Sequence, residues 1–162
     1  MKNSSQESKT RQVPNLICLT GIDGSGKSTH LRRLSKWLEE KHNLKSSPLS
    51  VWEIAKNPTY HKHPFISDRN AVHKYLGMLH PTARALFIFH GLFESFDLTK
   101  DSIAPIVIAD GYWYKYAFTE NLQGQDLDWL LAICGRFPKP KLTILLDLDP
   151  VDAWQRKPNI TP

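Results

Sequence analysis

The sequence predicts an α/β protein in which helices cover both faces of a parallel sheet. Three observations carry that expectation. Short apolar runs alternate with longer stretches of helical periodicity. The first run leads into a glycine-rich turn, Gly21–Ser28, which opens the first helix. Two later runs end in an aspartate, Asp110 and Asp147, where strands of an open parallel sheet present ligand-binding groups. At 162 residues the chain is long enough for one domain with a buried core.

The elements follow in order. Leu16–Thr20, flanked by Pro14 and Gly21, reads as a buried strand. Leu31, Leu34, Trp37 and Leu38 recur at helical spacing, so a helix is expected from about Lys27 to His42. Leu49–Ile54 reads as the second strand, and Ala55–Asn70, with two prolines and many polar residues, as a loop. Pro81 suits the first turn of a helix that runs through Leu86, Phe89, Phe93 and Phe96 toward Leu98. Ile106–Ala109 is a third strand, with helical segments expected at Tyr112–Leu122 and Leu127–Cys134. Leu142–Leu146 is a further strand, and Asp149-Pro150 begins a last helix.

Composition excludes several classes. Apolar residues make up 41% and charged residues 23%, ordinary values for a soluble globular protein. No apolar run approaches the roughly 18–20 residues that span a bilayer, so no membrane association is expected. Residues 1–14 read as a disordered polar tail without the apolar core of a secretory signal, and residues 15–162 as the domain. Cys18 and Cys134 lie in separate apolar segments, which suits buried thiols in a reducing cytoplasm. The net charge of +5 gathers in the tail and first helix. No helix-turn-helix, RNP or zinc-finger pattern accompanies it, so no nucleic-acid partner is expected. His61-x-His63 has no carboxylate or cysteine spacing that would complete a zinc site.

Gly21-Ile22-Asp23-Gly24-Ser25-Gly26-Lys27-Ser28 fits G-x-x-x-x-G-K-S, a P-loop, and it lies between an expected strand and an expected helix. Its glycines let the backbone turn so that successive N–H groups face a phosphate. The helix N-terminus adds partial positive charge. Lys27 would reach the β- and γ-oxygens of ATP, and the Ser28 hydroxyl would ligate Mg²⁺. Asp110 would hold the metal from the facing strand end. A turn or capping role is the plainer reading of Asp110, and it competes more evenly at Asp147 because Asp149-Pro150 follows. The aromatic run Tyr112-Trp113-Tyr114-Lys115-Tyr116 could line a base pocket or pack a helix on the sheet.

These residues together resemble the thymidylate kinase family. Gly21–Thr29 resembles that family's P-loop, including the acidic residue within it, here Asp23. Asp110-Gly111-Tyr112 with Ala117-Phe118-Thr119 is similar to its Asp-Arg-Tyr segment, and Lys141–Pro150 to its fourth strand and the helix start beyond. The resemblance implies phosphoryl transfer from ATP to a nucleoside monophosphate, with Mg²⁺, and dTMP as acceptor. It implies catalytic roles for Lys27, Asp110 and Asp23, and ATP contacts from Gly21 to Thr29 and from Arg156, where the family has the first arginine of its lid. Asp23, Phe87 and Tyr112 would meet the acceptor, Phe87 by stacking on its base. The same ring could instead pack in the core beside Phe89 and Phe93. A homodimer is compatible with the resemblance.

The chain departs from the pattern where anionic groups would be gripped. Gly111 stands for the arginine of Asp-Arg-Tyr, and Gly91 for the arginine expected one turn beyond Phe87. Trp52-Glu53-Ile54-Ala55-Lys56 holds no arginine after the second strand, and the segment after Asp110 is one residue short. Glycine cannot replace a bidentate phosphate clamp. Lys56, Arg84 and Lys115 are the cations nearby in sequence. The lid, fifth strand and final helix that the resemblance implies are not found before Pro162, so the domain is expected to be C-terminally incomplete with Leu142–Leu146 as an uncovered edge. Two further readings therefore stay open: a kinase of the same fold with another acceptor, and a weakly active nucleotide-binding remnant or interaction module.

Overall fold

Four parallel strands pair in the order β2-β3-β1-β4. They are β1 (Asn15–Thr20), β2 (Ser46–Leu49), β3 (Ile106–Asp110) and β4 (Leu142–Leu145). The computed structural model describes residues 15–60, 66, 68–100 and 104–156. The expected polar tail, and His61 and His63, lie outside the described residues. The helices are α1 (Lys27–His42), α2 (Arg69–Met78), α3 (Pro81–Lys100), α4 (Tyr112–Leu122), α5 (Leu127–Cys134) and α6 (Pro150–Arg156).

Alternation along the strands builds two core layers. Leu16 and Cys18 of β1, with Val107 and Ala109 of β3, meet Phe89, Leu92 and Phe96 of α3 and Leu130 and Cys134 of α5. On the other face Leu19, Ile106 and Ile108 meet Leu38 of α1, with Leu31 and Leu34 beside it. Helices thus cover both faces, as the element order predicts. Trp37, on the same apolar repeat of α1, is half exposed instead. β3 is buried from Ile106 through Ala109 because it has a neighbour on each side and a helix layer above and below. Burial raises the Cys18 thiol to about 12 and the Cys134 thiol to about 11, which suits both as core residues.

The second strand begins and ends earlier than Leu49–Ile54. Val51–Lys56 forms a 3₁₀ segment instead. Its β-branched and aromatic residues suit a strand, but α3 packs against it closely. A Cβ on Gly91 would stand 3.0 Å from Val51 Cγ2, and Ser95 Oγ donates to the Val51 carbonyl at 3.4 Å. Pro48 fits β2 because an edge strand loses no ladder bond on its open side. The loop expected through Asn70 is also shorter, since α2 starts at Arg69. Asp68 caps that helix by accepting from the Asn70 and Ala71 N–H groups at 2.9 and 3.2 Å. Among the described residues β4 is an edge, and Leu142 and Leu145 are exposed on it. No helix among the described residues is long and apolar enough to cross a membrane.

One ion pair ties α3 to α4. Glu120 is only 2% exposed, and Arg84 Nε donates to its Oε2 at 2.9 Å. Arg84 Nη2 stands 2.9 Å from the same oxygen but is not aligned for a second hydrogen bond. Arg84, one of the cations that could have served an anionic ligand, is committed to this carboxylate. Removing one partner of a buried pair leaves the other charge uncompensated. Arg84→Met should therefore lower stability by about 3–5 kcal/mol in urea unfolding. Arg84→Met combined with Glu120→Leu should recover most of that loss. A single-variant loss below about 1 kcal/mol would mean the pair behaves like a solvated surface bridge.

Candidate active site

The site lies where connections from neighbouring strands diverge. From β1 the chain runs past β3 to β2, and from β3 it returns past β1 to β4. Such a divergence opens a crevice beyond the carboxyl ends of the two strands. The Gly21–Ser28 turn leaves β1 there, and Asp110 ends β3 there. Their backbones are fixed together by strand pairing, with Leu19 opposite Asp110 and the Gly111 N–H donating to the Leu19 carbonyl at 2.8 Å.

The turn is shaped by its glycines and its neighbours. Gly24 has φ +91°, and a Cβ there would collide with the Ala153 carbonyl of α6. Lys27 is 7% exposed, and its Nζ donates to the carbonyls of Gly21 and Ile22, each at 2.8 Å. It also reaches Asp23 Oδ1 at 3.4 Å. From the opposite side Lys115 Nζ donates to the same oxygen at 2.7 Å. Burial alone would raise the Asp23 pKa, but the hydrogen bond and charge of Lys115, with Lys27, outweigh it and hold the carboxyl below its ordinary value. Burial and then the positive charge of Lys115 push Lys27 below its ordinary value, against the pull of Asp23 and Asp110.

Ser28 Oγ donates to Asp110 Oδ2 at 2.8 Å. Adjacent oxygens on a magnesium octahedron, with metal bonds of about 2.0–2.1 Å, stand about 2.9 Å apart, so this hard-oxygen pair fits that ion. Among the described residues no three His, Cys, Asp or Glu side chains cluster as a protein-only metal cage would require. Ser25 Oγ is buried in the turn without a hydrogen-bond partner, leaving a hydroxyl suited to a phosphate oxygen. The structure thus brings Gly21, Ile22, Asp23, Gly24, Ser25, Gly26, Lys27, Ser28 and Asp110 to one place. Thr29 is exposed in the first turn of α1, and Arg156 is exposed one turn beyond Ala153, whose carbonyl abuts Gly24.

Tyr112 does not reach the crevice. It is fully buried, and its hydroxyl donates to the Pro138 carbonyl at 3.0 Å, so it anchors α4 in the core. Phe87 is only partly buried and points away from the Phe89 layer. Its ring meets Tyr75 edge-on at 5.7 Å and lies 6.4 Å from His90. Asp149 accepts from the Val151 N–H at 2.8 Å and caps α6, while Asp147 is exposed. Lys56 pairs with Glu53 at 2.6 Å.

Arg69 escapes sequence reasoning, and Tyr116 enters it only as part of an aromatic run. The Arg69 guanidinium lies 4.4 Å from the centre of the Trp52 ring, so a cation stands over the 3₁₀ segment beyond β2, which itself holds no arginine. Tyr116 bonds the Val51 backbone; burial and the charges of Asp110 and Asp23 push its hydroxyl far above its ordinary pKa, and Arg69 opposes that rise. Tyr116 therefore feels the charges of both aspartates and of Arg69. The one available signal was Asp68, a helix cap that would have placed Arg69 in a first turn.

No family model matches the chain. It is 29% identical over 144 residues to the "Probable thymidylate kinase" of Pyrococcus horikoshii, covering 86% of this chain and 68% of that one. The "Probable thymidylate kinase 1" of Saccharolobus solfataricus is 31% identical over 134 residues, with 82% and 65% covered. Among solved structures, thymidylate kinase from Ehrlichia chaffeensis superposes with a TM-score of 0.62 at 25% identity, over 87% of this chain and 78% of that one. The Candida albicans thymidylate kinase gives 0.60 at 25% identity, over 89% and 67%. In sequence and in fold, the chain is similar to thymidylate kinases.

Proposed function

We propose that the chain transfers the γ-phosphoryl group of ATP to a nucleoside monophosphate, with dTMP as the first acceptor to consider, and that it works in the cytoplasm. The observation that carries the reading is the convergence of the P-loop with Asp110 at the divergence of β1 and β3, in a chain whose relatives bear the thymidylate kinase name.

The chemistry asks mainly for positioning and charge neutralisation. The P-loop N–H groups and the start of α1 receive the β-phosphate. Lys27 would exchange its loop carbonyls for β- and γ-oxygens. Ser28 and Asp110 would hold magnesium, which when bound screens the charge shared by the β- and γ-phosphates. An oxygen of the acceptor phosphate attacks the γ-phosphorus, the bond to the bridging oxygen breaks, and ADP leaves. Phe87, with Tyr75 and His90 around it, offers an aromatic face to the acceptor base. Gly91 cannot be the position of an acceptor-gripping cation, because α3 lies against Val51 there.

A coupled ADP-release assay across deoxynucleoside and ribonucleoside monophosphates tests the reading. The expected outcome is ADP release that depends on the acceptor, highest with dTMP. A higher rate with another monophosphate would favour the same fold with a different acceptor. Mg·ATP binding with no acceptor-dependent release would favour the remnant or interaction module.

Asp110→Asn separates a metal role from a capping role. The variant removes the charge but keeps the shape, so the backbone cradle for phosphate should survive. Half-saturating magnesium should rise at least about tenfold, while ADP affinity without metal stays unchanged. Equal magnesium dependence in both proteins would reduce Asp110 to a strand-end residue.

A further inference from the structure

We propose that Lys115 is a second phosphate-binding cation of this site, poised on Asp23 and released to the γ-phosphate when nucleotide binds, and that Gly111 is the residue that makes room for it. The inference rests on the nucleotide-kinase reading only for the identity of the anion.

Three observations place Lys115 there. Its ammonium and that of Lys27 share one oxygen, Asp23 Oδ1, at 2.7 and 3.4 Å. Lys27 is the P-loop lysine, whose task is the β,γ end of the triphosphate. A second ammonium on the same carboxylate therefore stands beside that end. The Lys115 side chain is also 30% exposed, so it is not locked away from an incoming anion.

The second observation is the backbone that aims it. Gly111 and Tyr112 take successive left-handed conformations, with φ +82° and +42°, as β3 turns into α4. A Cβ on Gly111 would stand 3.2 Å from Lys115 Cδ and 3.4 Å from its Cβ. The aliphatic stem of Lys115 thus lies across the glycine, in space that any larger residue at 111 would take. The Lys115 N–H bonds the Gly111 carbonyl at 3.2 Å, closing the first turn of the helix that carries the side chain.

The third is charge. Lys27, Lys115, Asp23 and Asp110 together sum to zero before any ligand enters. Magnesium-bound ATP arrives with net negative charge, and a single lysine paired to Asp23 offers it little. Two lysines sharing one carboxylate leave the equivalent of one free cation for the phosphates. Asp23 holds Lys115 in place until a stronger anion draws it across. Arg84 is held elsewhere by the buried Glu120 carboxylate.

The test compares ADP with the β,γ-imido analogue of ATP, each bound with magnesium and measured by calorimetry. In the unaltered chain the analogue should bind more tightly than ADP. Lys115→Met should lower that preference at least about tenfold while leaving ADP affinity within about twofold. Lys115→Arg should retain the preference. Gly111→Ala should lower it in the same direction, because the added Cβ displaces the lysine stem. Circular dichroism shows whether each variant is folded; the arginine and alanine variants decide the matter if Lys115→Met is not. An unchanged preference in the folded methionine variant would overturn the proposal. Equal weakening of both nucleotides would overturn it too, by showing that Lys115 only orders the loop. None of these readings needs an acceptor, so a chain that phosphorylates no monophosphate would fail as a kinase and still decide the role of Lys115.

Discussion

The pairing of β1 between β3 and β4 is the constraint on which the rest depends. Backbone register puts Leu19 opposite Asp110 and Thr20 opposite Leu145. It therefore fixes how far the Gly21–Ser28 turn projects and what it faces. The hydrogen bond from Ser28 to Asp110 spans 82 residues of sequence yet needs no long side chain, because the strand ends are already adjacent. A one-residue slip of β3 would send Asp110 to the other face, away from Ser28. The apolar layers above and below make such a slip costly, since Ile106, Val107, Ile108 and Ala109 are all buried and would exchange faces.

Next in consequence is the turn from β3 into α4. Tyr112 is a bulky residue in a left-handed conformation, a strain of order 1–3 kcal/mol. Full burial of its ring among Cys18, Phe137 and their neighbours offsets that cost, and so does the bond from its hydroxyl to Pro138. The residue works for the site without touching it. By fixing the start of α4 it determines where Lys115, one turn on, can reach, and the same turn leaves Gly111 no side chain in the way.

Much of this was legible in the sequence, and the gaps have physical causes. The P-loop, the strands at Leu16 and Ile106 and the helix from Lys27 could be read because buried parallel strands are unbroken apolar runs and the phosphate turn has a fixed spacing; the Leu142 run reads as a strand too, although β4 is an exposed edge. Leu49–Ile54 was read as a strand because a short segment rich in apolar residues does not distinguish a strand from a 3₁₀ turn packed against a glycine. α2 was missed because its start falls at the end of a polar, proline-containing stretch and only Val72 on it is buried. Tyr112 was assigned to the acceptor by resemblance to an Asp-Arg-Tyr segment, and an aromatic residue beside a strand-end aspartate reads the same whether it faces ligand or core. The shortened segment after Asp110 was visible, but its effect was not. Only the geometry shows that losing a side chain at 111 lets a lysine four residues on come back to the loop.

The central claim is that these groups move a phosphoryl group between nucleotides. The most direct measurement follows the label from γ-³²P ATP when the full chain is incubated with magnesium and dTMP, and separates nucleoside diphosphate from inorganic phosphate. The account expects the label in a thymidine diphosphate, in equal amount to the ADP formed. Label found only in inorganic phosphate, or left on ATP that binds normally, would contradict it.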